Sequence, residues 1–422
     1  MKRIPEWTKN KIIYEVNLRQ YSQGGSIKEF EAHLPRLKKL GVDILWFMPI
    51  HPIGIKNRKG DMGSYYSVQN YKAVDKTYGT LEDFKNLVDT IHNMDMYVLL
   101  DWVANHTSWD HQWTSQHPEF YTQTDDGGFK APFPEWEDVI HLNYNSSELW
   151  KEMIDSMKFW IKEADIDGFR CDMAHLVRTP FWNEARRQLD EIKPVFMLAE
   201  SENRDLLDHA FDALYNWNIF HKINDIAQGR TTLHSLKNCI ENELQNYRKG
   251  TYELLFTSNH DENSWNGSAI ERLTFSLEVC NVLCFTLPGI PLIYSGQEAG
   301  NYQKLSFFTK NHIDWKHDKM TPFYQHLCEI KHRNPALWNG DFGGKYSIVA
   351  NNCEEHIYSF TRQKENDQII VLCNFSPDHQ LVILQSDSNV IQFRDLFSYK
   401  FVNLKENLHV EPWGYRILEK VN

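Results

Sequence analysis

The chain has 422 residues, 41% of them hydrophobic and 24% charged, with a formal net charge of −12. That length exceeds one small core and predicts a large domain plus a smaller one, in the composition range of an ordinary globular protein. The acidic balance excludes a nucleic-acid partner, which needs a basic surface, and no stretch reaches the length of a membrane span.

Seven cysteines without a CxxC pair suggest neither a zinc cluster nor a complete disulfide framework. The opening MKRIPEWTKN has no apolar run of the export-signal kind, so a cytoplasmic location is expected, or an exported one where a signal peptide has already been removed.

Residues 12–18 (IIYEVNL) read as a buried strand. After a Gly24-Gly25 turn, Ile27, Phe30, Leu34, Leu37 and Leu40 recur at helical spacing and predict one helix that Gly41 ends. Residues 42–50 (VDILWFMPI) are the next strand, and continuous rather than alternating hydrophobicity marks a parallel sheet covered on both faces. A long polar and aromatic loop follows over 51–78. Thr80 with Asp83 forms a capping-box pattern before a helix whose apolar face is Leu81, Phe84, Leu87, Val88, Ile91 and Met94.

The third strand is predicted over 96–103. Residues 107–141 are an aromatic-rich excursion that reads as a small inserted domain, its rings mostly a private core. Strands four to eight are predicted over 166–175, 195–200, 213–217, 254–259 and 291–296, with helical patterns between. Eight strand-helix repeats closing on themselves make an α/β fold, the (β/α)8 TIM barrel, whose strand ends all open on one face. The expected division is a barrel of 1–106 and 142–340, the insert 107–141, and a C-terminal antiparallel β-sandwich over 341–422. In that last part short strands are predicted at 357–362, 368–375, 381–384 and 411–418.

Asp172, Glu200 and Asp261 stand at the ends of strands four, five and seven, so they meet on that face with Arg170, His106 and His260 beside them. Residues two apart on a strand share a side, which joins Arg170 to Asp172. A guanidinium beside a carboxylate is expected to hold it ionised, as a nucleophile requires. Glu200, after the apolar run 196–199, suits the proton-carrying partner. Two such carboxyls are what glycosidic cleavage needs. Asp261 could stabilise an oxocarbenium-like transition state or grip hydroxyls, and the residues alone leave the order of roles open.

The segments DWVANH (101–106), GFRCDMAH (168–175), LAES (198–201) and TSNHDEN (257–263) resemble the four ordered signature regions of the α-amylase family, glycoside hydrolase family 13. GIPLIYSGQE (289–298) and GSYYSVQNY (63–71) are similar to further motifs of that family. The resemblance implies Asp172 as nucleophile, Glu200 as general acid and base, and Asp261 as transition-state stabiliser. It also implies Tyr66 as an aromatic floor under the sugar, with His106, Arg170 and His260 binding its hydroxyls or the nucleophile.

Many members carry an Asp-rich calcium loop after strand one. Here residues 22–26 (SQGGS) offer no carboxylate, so no cofactor is expected to be required. Asn105 matches a calcium-binding position of some relatives, although an ordinary structural hydrogen bond is the favoured reading. The expected activity is retaining hydrolysis of α-1,4-glucosidic bonds in maltooligosaccharides or starch fragments. Rivals are a 4-α-glucanotransferase or α-glucosidase of the same chemistry, and a noncatalytic sugar-binding protein on the same barrel.

Overall fold

The computed structural model describes residues 4–315, 319–385 and 392–421, so the first three residues of the N-terminal stretch considered above lie outside it. Eight parallel strands close a barrel: β1 (Ile13–Val16), β2 (Ile44–Phe47), β3 (Tyr97–Trp102), β4 (Gly168–Cys171), β5 (Phe196–Ala199), β6 (Ala213–Tyr215), β7 (Tyr252–Phe256) and β8 (Ile290–Tyr294). Each pairs with its sequence neighbour, and β1 closes the ring on β8. Every strand lies within or close to its predicted range but is shorter, because the apolar runs continue into buried loop starts such as Met48 to Ile50.

Side chains alternate between two cores. Ile13, Ile44, Trp46, Leu99, Leu198, Leu254 and Leu292 fill the barrel interior, while Tyr14, Leu45, Leu100, Phe169 and Ala199 pack outward against the helices. The same period of two places Glu15 above Ile13, Asp101 above Leu99 and Glu200 beyond Leu198, so polar groups line the upper end of an apolar barrel. Gly168 begins β4 because a Cβ there would sit 1.8 Å from the Phe196 carbonyl oxygen.

Local signals account for most helix ends. Thr80 and Asp83 form the expected capping box, with Asp83 N–H donating to Thr80 Oγ1 at 3.1 Å and Thr80 N–H to Asp83 Oδ2 at 2.8 Å. Gly41 ends its helix at φ 95°. The single helix predicted before it is in fact two, Ile27–Glu31 and Leu34–Leu40. Pro35 has no N–H to give the Glu31 carbonyl and its ring crowds that turn, so the chain breaks and restarts with proline in its first turn.

The excursion after β3 pairs His106–Ser108 with Val139–His141 in an antiparallel ribbon. Of its rings, Trp113, Phe120 and Tyr121 are buried, and they join the core outside the barrel strands, with the Trp113 ring centroid 5.4 Å from that of Tyr71, instead of forming a core private to the insert. Beyond the barrel lies a six-stranded antiparallel sheet with two smaller two-stranded sheets. The strand predicted over 411–418 is corrected: Leu408–Val410 and Tyr415–Lys420 are separate strands, and Pro412, Trp413 and Gly414 make the turn between them. Arg362, fully buried, ties this sheet to the barrel by donating to the carbonyls of Thr286, Trp338 and Gly344. Among the described residues no helix is long and apolar enough to cross a membrane.

Candidate active site

A pocket of about 400 Å³ opens at the carboxyl ends of the barrel strands. Asp172, Glu200, Asp261, Tyr66 and His106 all line it, whereas Arg170 and His260 stand behind its wall. The ribbon after β3 contributes Glu135, Trp136, Asp138 and Val139, and the loop after β8 contributes Phe307 and Phe308.

Arg170 organises the floor. It is fully buried on β4, with Nη1 3.0 Å from Asp101 Oδ1 and 3.2 Å from Asp172 Oδ1, and Nη2 2.9 Å from Glu200 Oε2. Its Nε donates to the Tyr215 hydroxyl at 3.1 Å. One planar cation therefore reaches carboxyls from three strands, which a flexible ammonium could not do in fixed geometry. Glu200 Oε2 also accepts the Met173 N–H at 2.9 Å. Met173 adopts φ 40°, a left-handed conformation uncommon for a side-chain-bearing residue, and so turns its amide toward Glu200.

Arg170 favours the ionised form of Asp172, but two larger influences oppose it. Burial and then the neighbouring Glu200 charge push the Asp172 carboxyl well above its ordinary range, and Arg170 offsets this only in part. Asp261 goes the other way: burial raises it, but His260 and Arg170 outweigh that and lower it. Its side chain is 38% exposed at the mouth of the pocket. His260 lies between Glu15 and Asp261; burial disfavours its charge, yet those two carboxylates hold its pKa well above the usual histidine value. His106, buried against Trp136 with ring centroids 5.5 Å apart, is pushed down to about 3 by burial and stays neutral.

Tyr66 stacks on His260, with centroids 5.4 Å apart and planes 26° apart. Its hydroxyl donates to Asp101 Oδ2 at 3.1 Å and lies 2.7 Å from His260 Nε2. The seven site residues inferred from sequence are thus brought to one place, five as lining and two as support. Asn105, the calcium candidate, is buried with its amide nitrogen 3.2 Å from His106 Nδ1. In the loop after β1, Lys310 Nζ donates to the carbonyls of Arg19 and Ser22, the latter at 2.9 Å, and Glu29 accepts from the Gly24 and Gly25 amides at 2.8 and 3.1 Å. A protein ammonium therefore occupies carbonyls that a metal ion would otherwise compete for. Among the described residues no group of three His, Cys, Asp or Glu side chains gathers as a metal cluster.

Sequence reasoning missed Glu15, Asp101, Lys59 and the Phe307-Phe308 pair. Glu15 and Asp101 had a usable signal: each is a lone acid inside an apolar strand run, and a buried charge requires a partner. Lys59 bridges from the loop after β2 to the ribbon, 3.2 Å from Asp138 Oδ1 and 2.5 Å from the Glu135 carbonyl. Nothing local distinguishes that lysine or the two phenylalanines from other loop residues.

A sugar-sized pocket with paired carboxyls at the strand ends of such a barrel is the construction of a glycoside hydrolase. The model of the α-amylase catalytic domain matches residues 10–127 and 133–373, most of the chain. The structure superimposes on a noncanonic maltogenic α-amylase, AmyB, from Thermotoga neapolitana with a TM-score of 0.91 at 29% identity, covering 99% of this chain and all of that one. It superimposes on an α-amylase from Lactobacillus plantarum with a TM-score of 0.88 at 30% identity, over 98% of this chain and 100% of that one. α-Amylase MalA of Haloarcula japonica is 25% identical over 91% of this chain, which spans 58% of that protein. The chain belongs to the α-amylase family.

Proposed function

We propose that the protein is a retaining hydrolase of α-1,4-glucosidic bonds in maltooligosaccharides or starch fragments. The observation that carries this reading is the convergence of Asp172, Glu200 and Asp261 on one pocket with a single guanidinium shared beneath two of them. Asp172 attacks the anomeric carbon while Glu200 protonates the leaving oxygen, giving a covalent glycosyl-enzyme. Glu200 then draws a proton from water, which releases the sugar with its configuration kept. Burial and the Glu200 charge raise the Asp172 pKa, and the Arg170 guanidinium 3.2 Å away offsets this in part. Asp261, ionised beside His260, faces the developing positive charge. Tyr66 and Trp136 offer flat apolar faces to the ring.

Incubation of the purified chain with maltoheptaose tests this. New reducing ends with the α-anomer formed first are expected; β-anomeric product would overturn retention. Redistribution of chain lengths without net new reducing ends would instead make the protein a glucanotransferase, in which an acceptor sugar replaces water. Loss of turnover in Glu200→Gln distinguishes either enzyme from a sugar-binding protein.

A further inference from the structure

The proposed reaction uses His260 but not the carboxylate behind it. Glu15 lies on β1 inside the barrel, fully buried, with Oε1 2.5 Å from His260 Nδ1. The other ring nitrogen, Nε2, is 2.7 Å from the Tyr66 hydroxyl and 3.3 Å from Asp261 Oδ2.

The protons along this chain can be counted. Asp101 Oδ2 already accepts from Trp46 Nε1 at 3.1 Å and from Arg170 Nη1 at 3.2 Å, so it is an acceptor and takes the one Tyr66 hydroxyl proton. The Tyr66 oxygen then offers His260 only a lone pair. Nε2 must be the donor. On the other side, Nδ1 and a carboxylate oxygen at hydrogen-bond distance need a proton between them. The pair Glu15 and His260 therefore holds two protons, one of which is fixed on Nε2.

We propose that Glu15 is a positioning residue for the reaction: it holds the His260 ring with its Nε2–H directed at Asp261 and Tyr66, which keeps Asp261 ionised and aimed into the pocket. The logic is that of a carboxylate behind a catalytic histidine, where the bond at one ring nitrogen decides what the other can do. The inference rests on the glycosidase reading of the pocket.

The charged and titratable groups around the ring are Glu15 from β1, Tyr66 from the loop after β2, Asp101 from β3, Arg170 from β4 and Asp261 after β7, and the Glu15 charge in turn acts on Tyr215 of β6 and Tyr294 of β8. Burial raises the Glu15 pKa and opposes charge on His260, while the charge of each group favours that of the other across the proton between them. In either position of that proton, Nε2 keeps its own.

The test is the ring-nitrogen spectrum of protein labelled with ¹⁵N-histidine between about pH 6 and 9, with His260→Gln to assign the signal. Wild type is expected to show a protonated Nε2 throughout, and Glu15→Gln a His260 that titrates within that range. On maltooligosaccharides, Glu15→Gln is expected to lower kcat by about 10- to 100-fold, move the alkaline limb of the pH profile downward and leave KM nearly unchanged, with partial recovery in Glu15→Asp. An unprotonated Nε2 in wild type at neutral pH, or a Glu15→Gln enzyme with the wild-type profile, would overturn the proposal. The wild-type spectrum decides even if the variant does not fold. Absence of turnover by wild type would sink the reaction but leave the spectrum readable, so the two failures are separable.

Discussion

Arg170 Nη1 stands 3.2 Å from Asp172 Oδ1 with no solvent access to the guanidinium, so the proposed nucleophile faces a cation supplied from inside the barrel. The same cation also serves Asp101 and Glu200. Replacing Arg170 by alanine strands three buried or nearly buried carboxyls and is expected to cost about 3–5 kcal/mol of stability. Arg170→Lys keeps the charge and loses the fork. It is expected to fold and to lose on the order of 10²-fold in kcat, because the two carboxyls are no longer held in register. Wild-type kcat in the lysine variant would refute the argument.

Asp172 is held in a site that disfavours its charge, and that has a stability consequence with a definite sign. Its folded pKa is raised above the unfolded value, so the unfolded chain releases the proton first and stability falls as pH climbs from the ordinary aspartate range. At neutral pH Asp172→Asn is therefore expected to abolish turnover and yet raise the unfolding free energy, by on the order of 1 kcal/mol. The gain should shrink as pH falls and vanish below about pH 3, where the aspartate is protonated in both states. A destabilised Asn variant at pH 7 would show that the Arg170 contact outweighs burial and the Glu200 charge.

Asp261 and His260 have the opposite linkage to each other. The lowered Asp261 pKa contributes stability above the ordinary aspartate range that is lost as pH falls through its folded value. The raised His260 pKa contributes stability that is complete below the ordinary histidine value and is lost as pH rises through its folded value. Asp261→Asn should therefore lower the His260 pKa and flatten the alkaline loss of stability. Denaturant titrations of both proteins at pH 7 and 9 measure this, and identical slopes would contradict the coupling.

Lys310 supplies the positive charge in the loop after β1. Chelation with EDTA is expected to leave the melting temperature unchanged, while Lys310→Met, which removes charged hydrogen bonds to two carbonyls, should cost about 1.5–3 kcal/mol. A fall on chelation that calcium restores would show instead that a metal ion holds the loop.

Lys59 is the bridge between the loop after β2 and the ribbon that roofs the pocket. Its side chain is 33% exposed, so Lys59→Met should change global stability by no more than about 1 kcal/mol. The expected effects are a KM raised by up to about 5-fold and faster proteolysis within 107–141, with kcat little altered. Unchanged proteolysis would mean that the ribbon is held by its own core.

The sequence by itself determined the barrel and the place of its acids. Continuous apolar strands, the Thr80 capping box and the Gly41 stop are local features, and a period of two along each strand suffices to put Arg170 with Asp172 on the interior face. The family motifs added the identity of the seven site residues. Tertiary structure alone decided what those residues are to one another. It set Glu15 against His260 and Lys310 against the first loop, and brought Phe307 and Phe308 to the pocket wall. It also set burial and the Glu200 charge against Arg170 at Asp172. Propensity and hydrophobic period act between near neighbours in the chain, whereas desolvation and Coulomb energy depend on distances through space between groups that different strands deliver.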